Sequence, residues 1–410
     1  MKCIRLEIKA LSPLAIGRQK PGGSVSEADD YIPGSVIRGA IASQLLRLSG
    51  HQSTNLAENG GDFQSLFLSD TPAIFQNAYP VNPDINRRID GIWVLPATAL
   101  SSKTKPGFKI ENGHGVFDTL IDRFCAEWYG HLYDPTCPTN DGGRVEPYTC
   151  FYSKVGGNYY SHSVSKRLLT RVGINRRRGT AEEQILYSLE VLNESQDKKQ
   201  KPIRYYGSVI VPDSLGDALC QFINDLGEDF RLGGSTSRGL GKVEITAKIV
   251  ESKPQIKTRI EQFNAKFKKR WGEWKIFGNP NEELAGDRTY FTIDLQSDAI
   301  LTEQWRRTTV ISPEMLCQFA GVTDSSLQLH AAYSSYDYRS GWNTAWGLMK
   351  DVELITNKGA VYLFSTTEED TWFRIVEYLE IRGVGERTCE GFGQIKLCNE
   401  FHLVFRERAV

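Results

Sequence analysis

A run of basic residues near the middle of the chain could neutralise phosphates. The stretch SKRLLTRVGINRRRG, residues 165–179, contains six cations and no acid. Cations concentrated on one hairpin suit the phosphates of a nucleic acid, and the arginine fork matches phosphate oxygens. A solvated face would show the same charge, and Tyr187 nearby fits either base stacking or the core. The candidate cations are Lys166, Arg167, Arg171, Arg176, Arg177 and Arg178.

Two glycine-rich stretches form a second candidate surface. RLGGSTSRGLGKVEI (231–245) and RGVGERTCEGFGQIKL (382–397) each follow a predicted helix and run directly into a strand. Walker and dinucleotide loops run from strand into helix, so a mononucleotide cofactor is disfavoured. Glycines permit positive φ and close approach to an extended polyanion; a connection that only needs tight geometry is the alternative. The loop residues are Gly233, Gly234, Gly239, Gly241, Gly383, Gly385, Gly391 and Gly393, with Ser237, Arg238, Lys242 and Arg387 as donors.

The cysteines and histidines are poorly spaced for a metal. Cys125, Cys137 and Cys150 share one region with His114 and His131, but no closely spaced pair such as C-x-x-C occurs among them. Structural zinc commonly uses four ligands in such pairs, so the sequence predicts no metal site and no cofactor. No nucleophile elbow supports a serine or cysteine hydrolase either.

The composition limits where a nucleic-acid site can lie. The 410 residues are 40% hydrophobic and 24% charged, with a formal net charge of -1. A freestanding polyanion-binding protein is usually basic overall, so any such site must be local and balanced by acids elsewhere. Eight scattered cysteines fit a reducing compartment, and neither a secretory signal nor an apolar run of membrane-spanning length is evident. We expect a cytoplasmic protein.

The elements predicted around these candidates occur twice. Ile4, Leu6 and Ile8 alternate with charged residues, which predicts a strand, and helices are predicted over 34–50 and 213–229. The C-terminal third repeats the order strand, helix, strands, helix, glycine loop, strand, which is typical of a ferredoxin-like domain. We therefore predict an α+β protein with two such domains. The predicted boundaries are 1–250 with an insertion over about 81–200, a basic helical linker at 251–285, and 286–410.

Four segments, in their order along the chain, resemble a known protein family. They are DYIPGSVIRGAIASQLL (30–46), with a hydrophobic-Pro-Gly-Ser turn before a helix, FQSLFLSDTPAIFQNAYP (63–80), RVGINRRRGTAEEQILYSLEVL (171–192) and the two glycine loops. The chain resembles the RAMP superfamily of CRISPR-associated proteins, and within it the two-domain subunits of type III effector complexes, those of type III-D in particular. No single motif is diagnostic, but their order is.

The resemblance implies a function. Such a subunit grips CRISPR RNA, assembles with other RAMP subunits and a large polymerase-like subunit, and is guided to target RNA by base pairing. Residues 171–192 would then belong to the thumb that contacts RNA. Arg38, one turn into the first predicted helix, is a further candidate for a phosphate contact, with an ordinary exposed helical arginine as the alternative.

Two enzymatic alternatives stay open. In backbone-type RAMP subunits an aspartate before the Pro-Gly-Ser turn supports target-RNA cleavage, and here SEADDYIPG offers Glu27 with the two catalytic candidates Asp29 and Asp30. Such a carboxylate could bind a divalent metal or orient the attacking 2′-hydroxyl, although this loop is short. A CRISPR-RNA-processing endonuclease would want a histidine near the first helix, where only His51 lies. We predict an RNA-binding subunit first and an endoribonuclease second.

Overall fold

The computed structural model describes residues 1–18, 27–49, 61–82, 85, 89–139, 142–175, 177–178, 180–196, 201–251, 255–343 and 347–410. Within these residues the protein is mixed α+β, which confirms the α+β part of the predicted fold class. The α helices are α1 Gly34–Leu48, α2 Gly61–Phe67, α3 Leu120–Trp128, α4 Asp213–Leu226, α5 Ile256–Trp274, α6 Pro313–Ala320 and α7 Glu369–Arg382.

Most of the strands are short, and they form several small sheets beside two larger ones. We call residues 1–251 the first half and residues 255–410 the second half. The strands are β1 Lys2–Ala10, β2 Gly17–Arg18, β3 Glu27–Ala28, β4 Ile74–Phe75, β5 Tyr79–Val81, β6 Trp93–Val94, β7 Ala99–Ser102, β8 Val116–Asp118, β9 Val145–Pro147, β10 Phe151–Val155, β11 Asn158–His162, β12 Lys166–Asn175, β13 Thr180–Leu192, β14 Ser195–Gln196, β15 Lys201–Pro202, β16 Arg204–Val211, β17 Val243–Val250, β18 Thr289–Leu295, β19 Leu301–Glu303, β20 Arg306–Thr308, β21 Gln328–Tyr333, β22 Tyr336–Arg339, β23 Trp342–Asn343, β24 Leu348–Met349, β25 Glu353–Thr356, β26 Val361–Thr366 and β27 Ile395–Leu397.

The main sheet of the first half is antiparallel, with the strand order β17-β1-β16-β4. Ile4, Leu6 and Ile8 of β1 are fully buried, which confirms the alternation predicted for this strand. Helices α1 and α4 cover the sheet, and α4 contributes the buried Leu219 and Ile223 to the same core. When these four strands are numbered by their order along the chain, their spatial order across the sheet is fourth, first, third, second.

The main sheet of the second half has the order β21-β26-β18-β27 and is also antiparallel. When its strands are numbered in the same way, their spatial order across the sheet is second, third, first, fourth. That is the order of the first sheet read from the opposite edge. In the second half one helix, α6, lies between the first and second strands and one, α7, between the third and fourth; in the first half α1 and α2 lie between the first and second strands and α4 between the third and fourth.

Helix α5 occupies the predicted linker and packs as an amphipathic helix. Ile260, Phe263 and Phe267 are buried, in agreement with the spacing read from the sequence. Helix α3, from the predicted insertion, packs on the same core, where the ring centroids of Phe124 and Phe267 are 5.1 Å apart and those of Phe267 and Tyr290 are 4.7 Å apart. The insertion therefore helps to bury the sheet of the second half. None of the described helices combines the length and apolar character needed to cross a membrane.

Candidate nucleic-acid interface

The predicted basic run lies on the hairpin β12–β13. Its strands pair from Lys166 opposite Leu192 to Asn175 opposite Thr180, with one irregularity next to Val172. The hairpin carries exposed apolar side chains on both strands, Leu168 (56% exposed) and Leu186 (70%) among them. Apolar side chains left in solvent on both strands show that the hairpin projects from the body of the protein.

The base of this hairpin is anchored in the first half. Backbone hydrogen bonds join Leu14 and Leu192 in both directions, at 3.0 and 2.9 Å. Buried Val191 packs with Ala15 and with Leu240 of the first glycine loop. The hairpin is therefore rooted directly on the glycine loop.

The backbone of the first glycine loop adopts positive φ angles that glycine readily permits. A short 3₁₀ turn at Thr236–Arg238 is flanked by left-handed Ser235 (φ 57°) and Gly239 (φ 84°). Gly241 also has φ 84°, and a Cβ there would lie 2.5 Å from the carbonyl oxygen of Leu232, so a side chain is excluded by contact as well as by φ. Residues 236–239 are exposed, so the turn faces solvent.

Arg238 of this loop meets the hairpin at Tyr187. Its guanidinium donates a hydrogen bond to the Tyr187 hydroxyl and lies over the ring, 5.8 Å from the centroid. Arg171 Nη1 donates to the carbonyl oxygen of Arg238 at 3.3 Å. Tyr187 is 37% exposed and so is not a core residue. The structure thus brings the basic hairpin and the first glycine loop together into one surface, which we call the hairpin–loop surface.

Three further candidate cations are close to acids. Arg167 pairs with Glu194 at 3.1 Å, and Lys242 pairs with Glu228 at 3.1 Å. Lys166 Nζ donates to the carbonyl oxygen of Ala28 and lies 3.8 Å from Glu190. Ser237, Arg177 and Arg178 are exposed, whereas Arg176 lies outside the described residues.

The second glycine loop repeats the conformation of the first in different surroundings. Arg387 (φ 56°) and Gly391 (φ 94°) flank the 3₁₀ turn Thr388–Glu390, and Arg387 forms an ion pair with Glu390. A Cβ on Gly391 would lie 2.6 Å from Asn77 Oδ1, which accepts a hydrogen bond from the Gly34 amide at 2.8 Å. This loop is thus packed against the Pro-Gly-Ser turn of the first half.

Arg38 lies near that contact and not beside the hairpin. Its Nη2 donates to the carbonyl oxygen of Phe67 at 3.1 Å, and its guanidinium lies 5.1 Å from the centroid of the Phe67 ring. Phe67 is the last residue of α2. The structure therefore places Arg38 against α2, partly buried, and away from the surface formed by Arg171, Tyr187 and Arg238.

The two candidate catalytic aspartates have different surroundings. Asp29 is 5% exposed, and Arg339 donates to it. Arg339 Nη1 also donates to Asp298 Oδ2 at 3.1 Å and to the Tyr31 hydroxyl at 2.8 Å. Burial raises the pKa of Asp29 more than Arg339 lowers it. Asp30, in contrast, has a half-exposed carboxylate 3.7 Å from Lys358 Nζ.

The cysteines and histidines are distributed over different parts of the fold. Cys137 Sγ lies 3.5 Å from His114 Nδ1, whereas Cys125 belongs to the core around α5. His131 contacts the carbonyl oxygen of Phe277 at 3.1 Å, and His51 lies outside the described residues. In the part of the chain that the structure describes, no three His, Cys, Asp or Glu side chains are grouped so as to hold a metal ion.

Sequence reasoning missed Arg339, which holds Asp29, Asp298 and Tyr31. On β22 the side chains of Asp337 and Arg339 face inward, and Arg18 pairs with Asp337, while Tyr336 and Tyr338 are exposed. This alternation is inverted relative to an ordinary surface strand. The pattern YDYR is a sequence signal that could have indicated a buried polar contact at this strand.

Comparisons with known proteins identify the family of this chain. The RAMP superfamily matches residues 7–244. No curated protein shows significant similarity. Similar solved structures include chains from type III-B Cmr-beta bound to cognate target RNA and AMPPnP (14% identity, 92% of this chain and 94% of that chain covered, TM-score 0.42) and bound to cognate target RNA (13%, 92%, 94%, 0.39). Another is oligomeric Cmr4 from Pyrococcus furiosus (12% identity, 61% of this chain and 100% of that chain covered, TM-score 0.26). Because the superfamily match spans more than half of its residues, the chain belongs to the RAMP superfamily.

Proposed function

We propose that this chain is an RNA-binding subunit of a type III CRISPR effector complex and that the hairpin–loop surface grips the guide RNA. The observation that carries the proposal is the contact of Arg238 with Tyr187 and of Arg171 with Arg238. Two stretches that the sequence predicts separately as phosphate-binding lie side by side in the fold. Membership in the RAMP superfamily supports the same function.

The chemistry of this surface suits an RNA backbone. Arginine side chains along the hairpin supply charge-assisted hydrogen bonds to phosphate oxygens, and an exposed tyrosine supplies a face on which a base can stack. The solvent-facing turn at 236–239 adds backbone donors and the Ser237 hydroxyl. None of these groups distinguishes one base from another, so the sequence of the target is read by base pairing with the guide.

The architecture that we propose is two ferredoxin-like domains, at 1–250 and 286–410, joined by a helical linker at 251–285. The identical strand order of the two main sheets supports it, because fourth, first, third, second is the order of the split βαβ fold. We further propose that the complex resembles type III-D, with CRISPR RNA, target RNA, other RAMP subunits and a large polymerase-like subunit as partners. Since the second glycine loop is packed against the Pro-Gly-Ser turn of the first half, we assign the RNA contact to the first loop alone.

Charge reversal on the hairpin tests the RNA-binding proposal. Arg171→Glu, Arg177→Glu and Arg178→Glu together should weaken RNA binding irrespective of sequence. The slope of the logarithm of the RNA-binding constant against the logarithm of the salt concentration should become less steep. On single-stranded RNA its magnitude should decrease by up to about 2, about 0.7 for each lost phosphate contact. The matched control reverses Lys266, Lys268 and Lys269, three exposed lysines of α5. Equal effects of the two triple variants would overturn the assignment of the surface.

Target-RNA cleavage is the second candidate function, and the position of Asp30 favours it. Its carboxylate is half exposed, and the same loop contacts the hairpin through Lys166 and Ala28. Asp30→Asn should then keep guide and target binding and abolish one specific cut in the target RNA when divalent metal is present. Asp29→Asn is the matched control, because Asp29 is buried beside Arg339. An unchanged cleavage pattern in both variants would leave the chain as a binding subunit.

A further inference from the structure

A tryptophan lies at the tip of the ribbon β19–β20 in a backbone conformation that suits glycine. Glu303 pairs with Arg306, so the loop between them consists of Gln304 and Trp305 alone. Both residues have positive φ, 46° and 66°, which identifies a type I′ turn. Such turns favour Asn-Gly, and a bulky residue at positive φ is strained. The turn geometry therefore does not explain why a tryptophan is present.

Core packing does not explain the tryptophan either. Trp305 is 99% exposed, so neither face of its indole is covered. Folding gains nothing from an apolar ring held in solvent, and glycine at this position would relieve the strain. A tryptophan that is strained by its backbone conformation and does not stabilise the fold is best explained by contact with a molecule outside the chain.

The ribbon beneath the tryptophan is held firmly. Arg307 donates to Glu386 Oε1 at 2.5 Å, to Glu353 Oε2 at 2.6 Å and to the Thr302 hydroxyl. Glu386 belongs to the second glycine loop, so the base of the ribbon is fixed to that loop and to β25. A ring presented on a fixed base loses little freedom when it binds, which favours affinity.

The charge beside the ring indicates the kind of ligand. Arg306 is exposed, and its side chain makes no hydrogen bond or ion pair with any residue that the structure describes. The acid opposite it, Glu303, accepts a hydrogen bond from Ser312. The tip therefore offers a bare aromatic face next to a guanidinium, the pair of groups that nucleic-acid-binding proteins use to stack a base and hold its phosphate.

The position of the ribbon in the repeated fold agrees with an RNA ligand. In the first half the ribbon β2–β3 has the same place, directly after the first strand of the main sheet and before the first helix. Its residue Ala28 contacts Lys166 of the hairpin that we assign to RNA. The ribbon of the second half is thus equivalent to an element that borders the proposed RNA surface.

We propose that Trp305 stacks on a base of single-stranded RNA and that Arg306 contacts an adjacent phosphate. The inference rests on the proposed RNA-binding function and adds a contact in the second half of the chain. It names single-stranded RNA because stacking requires a base whose face is free, and a duplex covers its base faces internally.

Binding of fluorescein-labelled oligo(rA) by the full-length chain tests the inference. Trp305→Ala should weaken binding about 5-fold to 150-fold, equivalent to about 1–3 kcal/mol for one stacked base, and Trp305→Phe should retain most of the affinity. Arg306→Gln should decrease the magnitude of the slope of log binding constant against log salt concentration by about 0.7. Trp305→Gly should weaken binding in the same way and also raise the melting temperature, because it relieves the turn. Leu132→Ala, which alters another side chain that is 99% exposed, is the matched control.

The outcomes separate this inference from the proposed function. If Trp305→Ala binds oligo(rA) as the wild type does, while the triple glutamate variant of the hairpin does not, the inference is overturned and the RNA-binding function stands. If the wild-type chain fails to bind RNA at all, both are overturned. If Trp305→Ala retains RNA affinity but loses association with another copy of the chain, Trp305 contacts protein and the assignment to RNA is wrong.

Discussion

Arg339 and Asp29 form a buried ion pair that joins the second half of the chain to the loop before the Pro-Gly-Ser turn. The same guanidinium lies 3.1 Å from Asp298, so one cation serves two carboxylates that are each less than 10% exposed. An aspartate in this environment stabilises the contact between the halves. A role in cleavage would require contact with a phosphate from solvent, and the buried carboxylate of Asp29 is not exposed for such a contact, whereas that of Asp30 is half exposed.

Removing the cation should destabilise the protein far more than removing one of its acids. Arg339→Met leaves Asp29 and Asp298 buried without the cation that they share, a change that costs about 3–5 kcal/mol. Asp29→Asn should cost much less, because Arg339 keeps Asp298 and because burial already disfavours the charged form of Asp29. Urea denaturation measures both. Arg18→Met, which opens the partly exposed pair with Asp337, is the control and should cost about 1 kcal/mol or less.

Local periodicity predicted the elements that one stretch of sequence determines. Ile4, Leu6 and Ile8 alternate, and they are buried on one face of β1; Phe263 and Phe267 recur at helical spacing, and they are buried on α5. In both cases the apolar pattern within one element decides which side is covered. The repeated element order could be recognised for the same reason.

Contacts between distant residues could not be predicted in this way. Three glycines recur at the same spacing in the two loops and all have positive φ, yet the turn of one loop faces solvent and Gly391 of the other is covered by Asn77 and Phe75. Nothing within residues 382–397 encodes that difference, because the covering residues lie in the first half. The turn at Trp305 was missed for another reason: its positive φ values fall on residues that carry no glycine or asparagine signal.

Alanine at equivalent glycines should distinguish the two loops. Gly391→Ala places a Cβ 2.6 Å from Asn77 Oδ1 and 3.0 Å from the carbonyl oxygen of Phe75, in addition to the strain of positive φ. Gly239→Ala meets nothing within 4 Å, so only the strain remains, about 1–2 kcal/mol. Thermal and urea denaturation should therefore show a larger loss for Gly391→Ala. Equal losses would mean that the contact with the first half is not tight.

Helix α3 should be required for the stability of the second half although it comes from the insertion. Phe124 is 3% exposed and packs 5.1 Å from Phe267 and 5.9 Å from Trp271, measured between ring centroids. Phe124→Ala should lower the free energy of unfolding by about 3–5 kcal/mol, because it leaves a cavity under α5. The exposed Phe277 supplies the control, and Phe277→Ala should stay within about 0.5 kcal/mol. Wild-type stability of Phe124→Ala would show that the insertion is an independent module.

His402 is a buried cation held between two aspartates. Its Nδ1 lies 3.1 Å from Asp118 Oδ1, and its Nε2 lies 2.9 Å from Asp294 Oδ1. Burial by itself lowers the pKa of His402, but the two carboxylates outweigh burial and raise it to about 10. The histidine therefore remains charged at neutral pH and ties the insertion, through β8, to the sheet of the second half and the C-terminal segment.

This histidine should make stability fall as pH rises above neutral. In the unfolded chain the pKa of His402 returns to about 6.5, so its contribution is complete below that value and is lost as pH rises from about 6.5 to about 10. His402→Gln should be strongly destabilising at pH 7, and the difference from the wild type should shrink towards pH 10. His330 is the matched control, because burial lowers its pKa to about 4 and it stays neutral across this window. The difference between wild type and His330→Gln should be independent of pH from 7 to 10. A pH-independent difference for His402→Gln as well would mean that His402 is neutral between Asp118 and Asp294. Only a protonated histidine loses its attraction to the two carboxylates when pH rises through its pKa.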